Sequence, residues 1–134
     1  HLRTGEAAMT DREMLELAAK AAGMGELVFM SEAGRYAVVW LPIGADCNEW
    51  AFWNPLEDDG DALRLAVKLK IDLSLWTWKD QVQAKTYIGA GRGIPLHGNY
   101  ERPVNDHREF YDGDPEYATR RAITRAAAAI GSNL

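Results

Sequence analysis

The sequence has almost no cysteine, no long apolar run and no excess of positive charge. Cys47 is the single cysteine in 134 residues, so neither an intrachain disulfide nor a cysteine-cluster zinc site can form. No apolar stretch reaches the roughly 20 residues that a membrane-spanning helix needs. The formal net charge of -5 argues against binding to a phosphate backbone. We therefore expect a cytoplasmic protein that binds neither membranes nor nucleic acid.

Signature motifs of catalysis and of cofactor binding are also missing. The sequence contains no Gly-x-Ser-x-Gly elbow and no His-Glu-x-x-His pair. The glycine cluster at 89–93 is followed by Ile94-Pro95, which does not begin a helix as a phosphate-binding loop would. We expect no cofactor, and the sequence favours a non-enzymatic protein.

Length and composition predict one folded unit. Hydrophobic residues make up 47% and charged residues 26% of the chain, as in ordinary globular proteins. Because Met9-Thr10-Asp11 resembles a natural start, we interpret residues 1–8 as a remnant of cloning. Residues 9–134 are then expected to form a single globular domain.

Alternating and helical patterns predict an α+β fold. Helical spacing of apolar residues indicates three helices, at about 10–22, 58–70 and 115–130. Short segments rich in β-branched and aromatic residues indicate strands at about 26–30, 35–41, 49–53, 71–78 and 81–88. We expect a small, mainly antiparallel sheet of about four to five strands packed against the helices. The segment 89–112 is predicted to be a surface loop.

The second helix follows a motif formed by Asn54, Pro55, Asp58, Gly60 and Asp61. Pro55 favours a turn at Asn54, and the aspartates suit the start of a helix because its first amides need acceptors. The helix itself is apolar over most of its circumference. It is therefore predicted to be the central helix of the core.

Carboxylates in this motif also suggest a ligand or metal site. Asp58, Asp59 and Asp61 could converge with His97 or His107 of the predicted loop. Such a site, between the 54–61 turn and the 89–112 loop, would suit a small-ligand or metal-binding enzyme. The alternative is that the aspartates only cap and orient the helix.

Tryptophan and arginine supply candidates for an interaction surface. Trp76 and Trp78 lie on one face of a predicted strand, and Trp50 lies on another strand. Tryptophan is enriched at binding hot spots, although these rings could equally complete the core. Arg121 and Arg125 lie one turn apart on the last helix and could bind an acidic partner or pair with acidic residues of this chain.

Three segments resemble small uncharacterised proteins of tailed phages and prophages. They are Met9–Gly23, Trp53–Leu69 and Ala118–Gly131, which together include the three predicted helices. The resemblance implies a setting in the bacterial cytoplasm during infection or lysogeny, and it carries no activity to any residue. We expect an accessory protein that binds a host or phage protein through an aromatic strand face, or that forms a homodimer.

Overall fold

The computed structural model describes residues 9–76, 81–87 and 103–134, with the backbone alone at 76, 85–87 and 103–107. Within these ranges no helix is both long and apolar enough to cross a bilayer. The elements, in chain order, are α1 (Asp11–Ala22), β1 (Glu26–Met30), β2 (Arg35–Trp40), β3 (Glu49–Phe52), α2 (Asp59–Leu69), β4 (Asp72–Trp76), β5 (Gln81–Tyr87), β6 (Pro103–Phe110) and α3 (Pro115–Gly131).

The predicted α+β class is confirmed, and so are the three helices. The strands form two three-stranded antiparallel sheets rather than one sheet of four to five strands. Sheet A has the order β1-β2-β3, and sheet B has the order β4-β5-β6. Helix α2 separates the two sets of strands along the chain, and each set pairs only with its own neighbours in sequence.

Part of the predicted 89–112 loop is a strand. Residues 103–110 form β6, which pairs along β5 with His107 opposite Ala84. This segment is mostly polar and has no apolar alternation in sequence, so local pattern could not indicate it. Backbone hydrogen bonds to β5 stabilise this segment as a strand.

Both ends of α1 are capped. The amide of Glu13 donates to Thr10 Oγ1 at 3.1 Å, and Glu13 Oε1 accepts from the Thr10 amide at 3.1 Å. Gly23 ends the helix in the left-handed region at φ 66°, where its amide donates to the last carbonyls. The reciprocal bonds and the glycine cap fix α1 at 11–22.

The centre of the core is α3, and the prediction that α2 is central was wrong. Helix α3 packs against α1, α2, β5 and β6. Helix α2 leaves Leu63 61% and Val67 62% exposed, so only one side of it is buried. The short side chains of α3 allow neighbours to approach it from several sides. Its buried residues are Ala118, Ala122, Ile123, Thr124, Ala126, Ala127, Ala128 and Gly131.

Helices α1 and α3 approach closely at the end of α3. A Cβ atom placed on Gly131 would lie 2.0 Å from the carbonyl oxygen of Leu17. Alanines line the same contact, including Ala18 of α1 and Ala127 of α3, which are fully buried. Small side chains are therefore required for this packing.

Candidate interaction surface

The Asn54–Asp61 turn is held by its own side chains. Asp58 caps α2 by accepting from the Asp61 amide at 2.8 Å. Asp61 accepts from the Asn54 amide at 2.9 Å and from Arg64 at 2.8 Å. The side-chain oxygen of Asn54 accepts from the Leu56 amide at 3.0 Å. These bonds form a closed network that sets the direction in which α2 leaves sheet A.

Arg120 fixes this turn to α3. Its guanidinium donates to Asp59 Oδ1 at 2.7 Å and to the Leu56 carbonyl oxygen at 3.0 Å. Asp59, like Asp58 and Asp61, therefore already binds another group of this chain.

Among residues 9–76, 81–87 and 103–134, no three His, Cys, Asp or Glu side chains form a group that could hold a metal ion. Of the two candidate histidines, His97 lies outside the described residues. His107 lies in β6, where only the backbone is described. The alternative site between the turn and the loop therefore has, in the described part of the chain, only aspartates that already bind backbone amides or guanidinium groups.

The side chains of Arg121 and Arg125 connect α3 to neighbouring elements. Arg121 contacts the start of α1 and the end of β6, and Arg125 contacts the end of β6. Arg121 pairs with Asp11 at 3.2 Å and with Glu109 at 4.0 Å, and Arg125 pairs with Glu109 and donates to the Arg108 carbonyl at 3.3 Å. Partial burial lowers the pKa of Arg121, but the hydrogen bond to Asp11 and the neighbouring negative charge outweigh it and raise that pKa. Both candidate arginines thus contribute to contacts inside the chain.

The tryptophans have different environments. Trp53 is 4% exposed and belongs to the core, and Trp40 packs against the core while partly buried. Trp50, in β3, is 52% exposed. Trp76 ends β4, where its backbone pairs with Gln81, and Trp78 lies outside the described residues. Of the three candidate tryptophans, Trp50 is the one whose side chain the structure describes.

Sheet A has an inner face that packs on the core and an outer face that does not. Leu27 and Val38, which lie opposite each other, are buried in the core and define the inner face. Of the eight residues on the outer face, Ala37 is fully buried, and the other seven neither belong to the core nor pack against it. By strand register these residues are Glu26, Val28, Met30, Arg35, Ala37, Val39, Trp50 and Phe52.

The outer face is far more apolar than a solvent-facing sheet surface normally is. Six of its eight residues are apolar, whereas solvated faces of antiparallel sheets usually carry polar side chains. Among the described residues, no helix packs on this face. Such a surface is typical of a site that another molecule covers.

An aromatic pair and a cation lie side by side on the outer face. The rings of Trp50 and Phe52 meet edge to face, with centroids 5.1 Å apart. The guanidinium carbon of Arg35 lies 3.9 Å from the centroid of Phe52. Arg35 forms no ion pair with any described residue. Sequence reasoning missed Arg35, because its place beside Phe52 depends on the pairing of β2 with β3.

A second apolar surface lies between α2 and β4. A groove of about 390 Å³ separates α2 from β4, with Leu63 and Leu75 on its walls and Ile123 of α3 among its lining residues. Leu63 and Leu75 are each 61% exposed. The groove leaves the Leu63 side of α2 uncovered.

No family model matches this chain, and neither a curated protein nor a solved structure matches it significantly.

Proposed function

We propose that the protein is a non-enzymatic accessory protein of a phage or prophage that binds a host or phage protein through the outer face of sheet A. The observation that carries the binding proposal is the apolar, uncovered surface around Trp50. The phage setting and the bacterial cytoplasm follow from the resemblance of the three helical segments. The binding surface and the setting thus have separate support.

Trp50 is the anchor of the proposed contact. A tryptophan side chain buries about 150–250 Å², so an exposed fraction of 52% leaves roughly 100 Å² to be covered. Covering this area is worth about 2.5 kcal/mol at 25 cal/mol per Å². The edge-to-face contact with Phe52 holds the ring in place before binding, which reduces the entropy lost on association.

Arg35 defines the chemistry of the partner. Its guanidinium lies on an aromatic ring in a mostly apolar surface and has no acidic partner among the described residues. Covering it without a counter-charge would leave a desolvated cation, which is costly. The partner surface is therefore expected to be apolar and to carry a carboxylate that accepts hydrogen bonds from Arg35.

Site-specific photo-cross-linking in bacterial cells tests the surface. A benzoylphenylalanine at Val28, on the outer face, is expected to form a discrete adduct with one protein. The same probe at Val67, exposed on α2, serves as the matched control and is expected not to form that adduct. Equal adducts from both positions would contradict the proposal.

The adduct then requires confirmation with the purified partner. Arg35→Ala is expected to weaken its affinity by about tenfold or more, because a charge-assisted hydrogen bond is worth about 1.5–3 kcal/mol. An unchanged affinity would refute the role of Arg35. If light scattering instead shows a dimer that Arg35→Ala dissociates, the partner is a second copy of this chain.

A further inference from the structure

The inner face of sheet A borders an open cleft. The cleft has a volume of about 530 Å³ and lies between the sheet, α2 and the end of α1. Its sheet side includes Val38, Trp40, Ala51 and Trp53. Leu65 of α2 forms part of the opposite wall.

A small residue lies in the middle of the sheet side of the cleft. Ala51 pairs with Val38 and lies between the positions of Trp40 and Trp53 on the inner face. Ala51 is exposed, although its cross-strand neighbour Val38 is buried. A larger side chain at position 51 would extend into the cleft beside the partly buried Trp40. The exposed Ala51 beside an indole ring offers a surface suited to a flat apolar molecule.

The rim of the cleft carries one uncompensated positive charge. Arg64 and Lys68 lie one helical turn apart on α2, and both line the cleft, as does Asp61. Arg64 is paired with Asp61 at 2.8 Å, so their charges largely cancel. Lys68 is exposed and forms no ion pair with any described residue. One cationic group therefore remains to attract an anion.

We propose that this cleft binds a small aromatic molecule that carries one anionic group. The rings lie over Ala51 beside Trp40, and the anion faces Lys68. The volume falls within the range of about 300–1,000 Å³ that small-molecule sites occupy. Phe52 is the one outer-face residue among the described residues that line the cleft, and the rest of its sheet side belongs to the inner face, so this inference does not depend on the proposed function.

The dye 1-anilinonaphthalene-8-sulfonate is a suitable probe, because it combines aromatic rings with one sulfonate. We expect saturable binding by the full chain, measured by dye fluorescence. In nitrogen–proton correlation spectra, the indole signal of Trp40 should shift on binding. The signal of Trp50, on the opposite face of the sheet, should not shift and serves as an internal control.

Two variants test the cleft and its charge separately. Ala51→Leu extends into the cleft and should weaken dye binding roughly tenfold, whereas Ala33→Leu, in an exposed turn, should leave it unchanged. Lys68→Glu should weaken it roughly fivefold, whereas Lys20→Glu, in the last turn of α1, should not. Circular dichroism checks that each variant is folded, and Lys68→Glu retains the test if Ala51→Leu does not fold.

Three results would overturn the inference. The first is the absence of saturable binding. The second is a folded Ala51→Leu variant that binds the dye with unchanged affinity. If Leu63→Ser then abolishes binding, the dye occupies the α2–β4 groove instead of the cleft. The third concerns charge: N-phenyl-1-naphthylamine, which has the same rings without the sulfonate, should bind more weakly, and equal affinity would contradict the role of Lys68.

Discussion

Replacing Gly131 by alanine tests the close packing of α1 against α3. The new Cβ would lie 2.0 Å from the Leu17 carbonyl oxygen, and real Cβ contacts are essentially never under 3.0 Å. The helices must therefore separate locally by about 1 Å, and the obstacle is backbone that cannot rotate away. Overpacking of this kind costs about 1–3 kcal/mol. The gain in helix propensity from glycine to alanine is at most about 1 kcal/mol.

The clash is expected to outweigh the propensity gain. We predict a net loss of about 1–2 kcal/mol in the free energy of unfolding, which lowers Tm by roughly 4–8 °C in a chain of this size. Thermal unfolding followed by circular dichroism measures the shift. Gly60→Ala is the matched control, because its Cβ would meet side-chain atoms of Arg64 and Asp58 at 3.1–3.2 Å rather than backbone. That variant should be neutral or gain up to about 1 kcal/mol. A Gly131→Ala variant with raised Tm would refute the packing argument.

Three further predictions concern stability. Arg120→Ala removes the two hydrogen bonds that hold the turn before α2, and should cost about 1–3 kcal/mol in urea unfolding; a loss below about 0.5 kcal/mol would contradict this. Hydrogen bonds from Thr10 lower the pKa of Glu13 below its ordinary 4.5, so its stabilisation is present above that value and is lost as pH falls through the folded-state pKa. The stability difference between wild type and Glu13→Gln should therefore shrink with acidification, and a difference independent of pH would exclude this linkage. Leu65→Ala should cost about 2–5 kcal/mol, whereas Leu63→Ser should change stability by less than about 0.5 kcal/mol, and similar losses would show that both sides of α2 are buried.

Local signals were sufficient for the helices and for five of the strands. The capping residues Thr10, Asp58 and Asp114 all accept hydrogen bonds from the third residue that follows them, as their positions in sequence indicate. Short segments rich in β-branched and aromatic residues likewise indicated β1 to β5. These features depend on residues only a few positions apart, so they can be read without knowledge of tertiary contacts.

Features that depend on distant contacts could not be predicted. Strand β6 forms through pairing with β5. The division into two sheets depends on which strands form hydrogen bonds with one another. The central place of α3 follows from its alanines, which are weak hydrophobic signals but allow close packing. Leu63 and Val67 are apolar, as core residues are, yet both side chains are more than half exposed, and Leu63 lines the α2–β4 groove.

The candidate surface was also only partly visible in sequence. Trp50 could be named as an interaction candidate because tryptophan is common at interfaces. The relation of Arg35 to Phe52 required strand register, since the two residues are far apart in sequence. The sequence similarly could not show that Arg121 and Arg125 pair with Asp11 and Glu109.

The most direct test of the proposed function compares two aromatic substitutions on opposite faces of sheet A. Trp50 on the outer face is 52% exposed, and Phe29 on the inner side is 47% exposed, so neither substitution should unfold the protein. Affinity for the cross-linked partner, once purified, is measured by isothermal titration calorimetry. We expect Trp50→Ala to weaken binding by about 2–3 kcal/mol, or roughly 30- to 150-fold, and Phe29→Ala to leave it unchanged. Equal affinities for the two variants would contradict the assignment of the outer face as the binding surface.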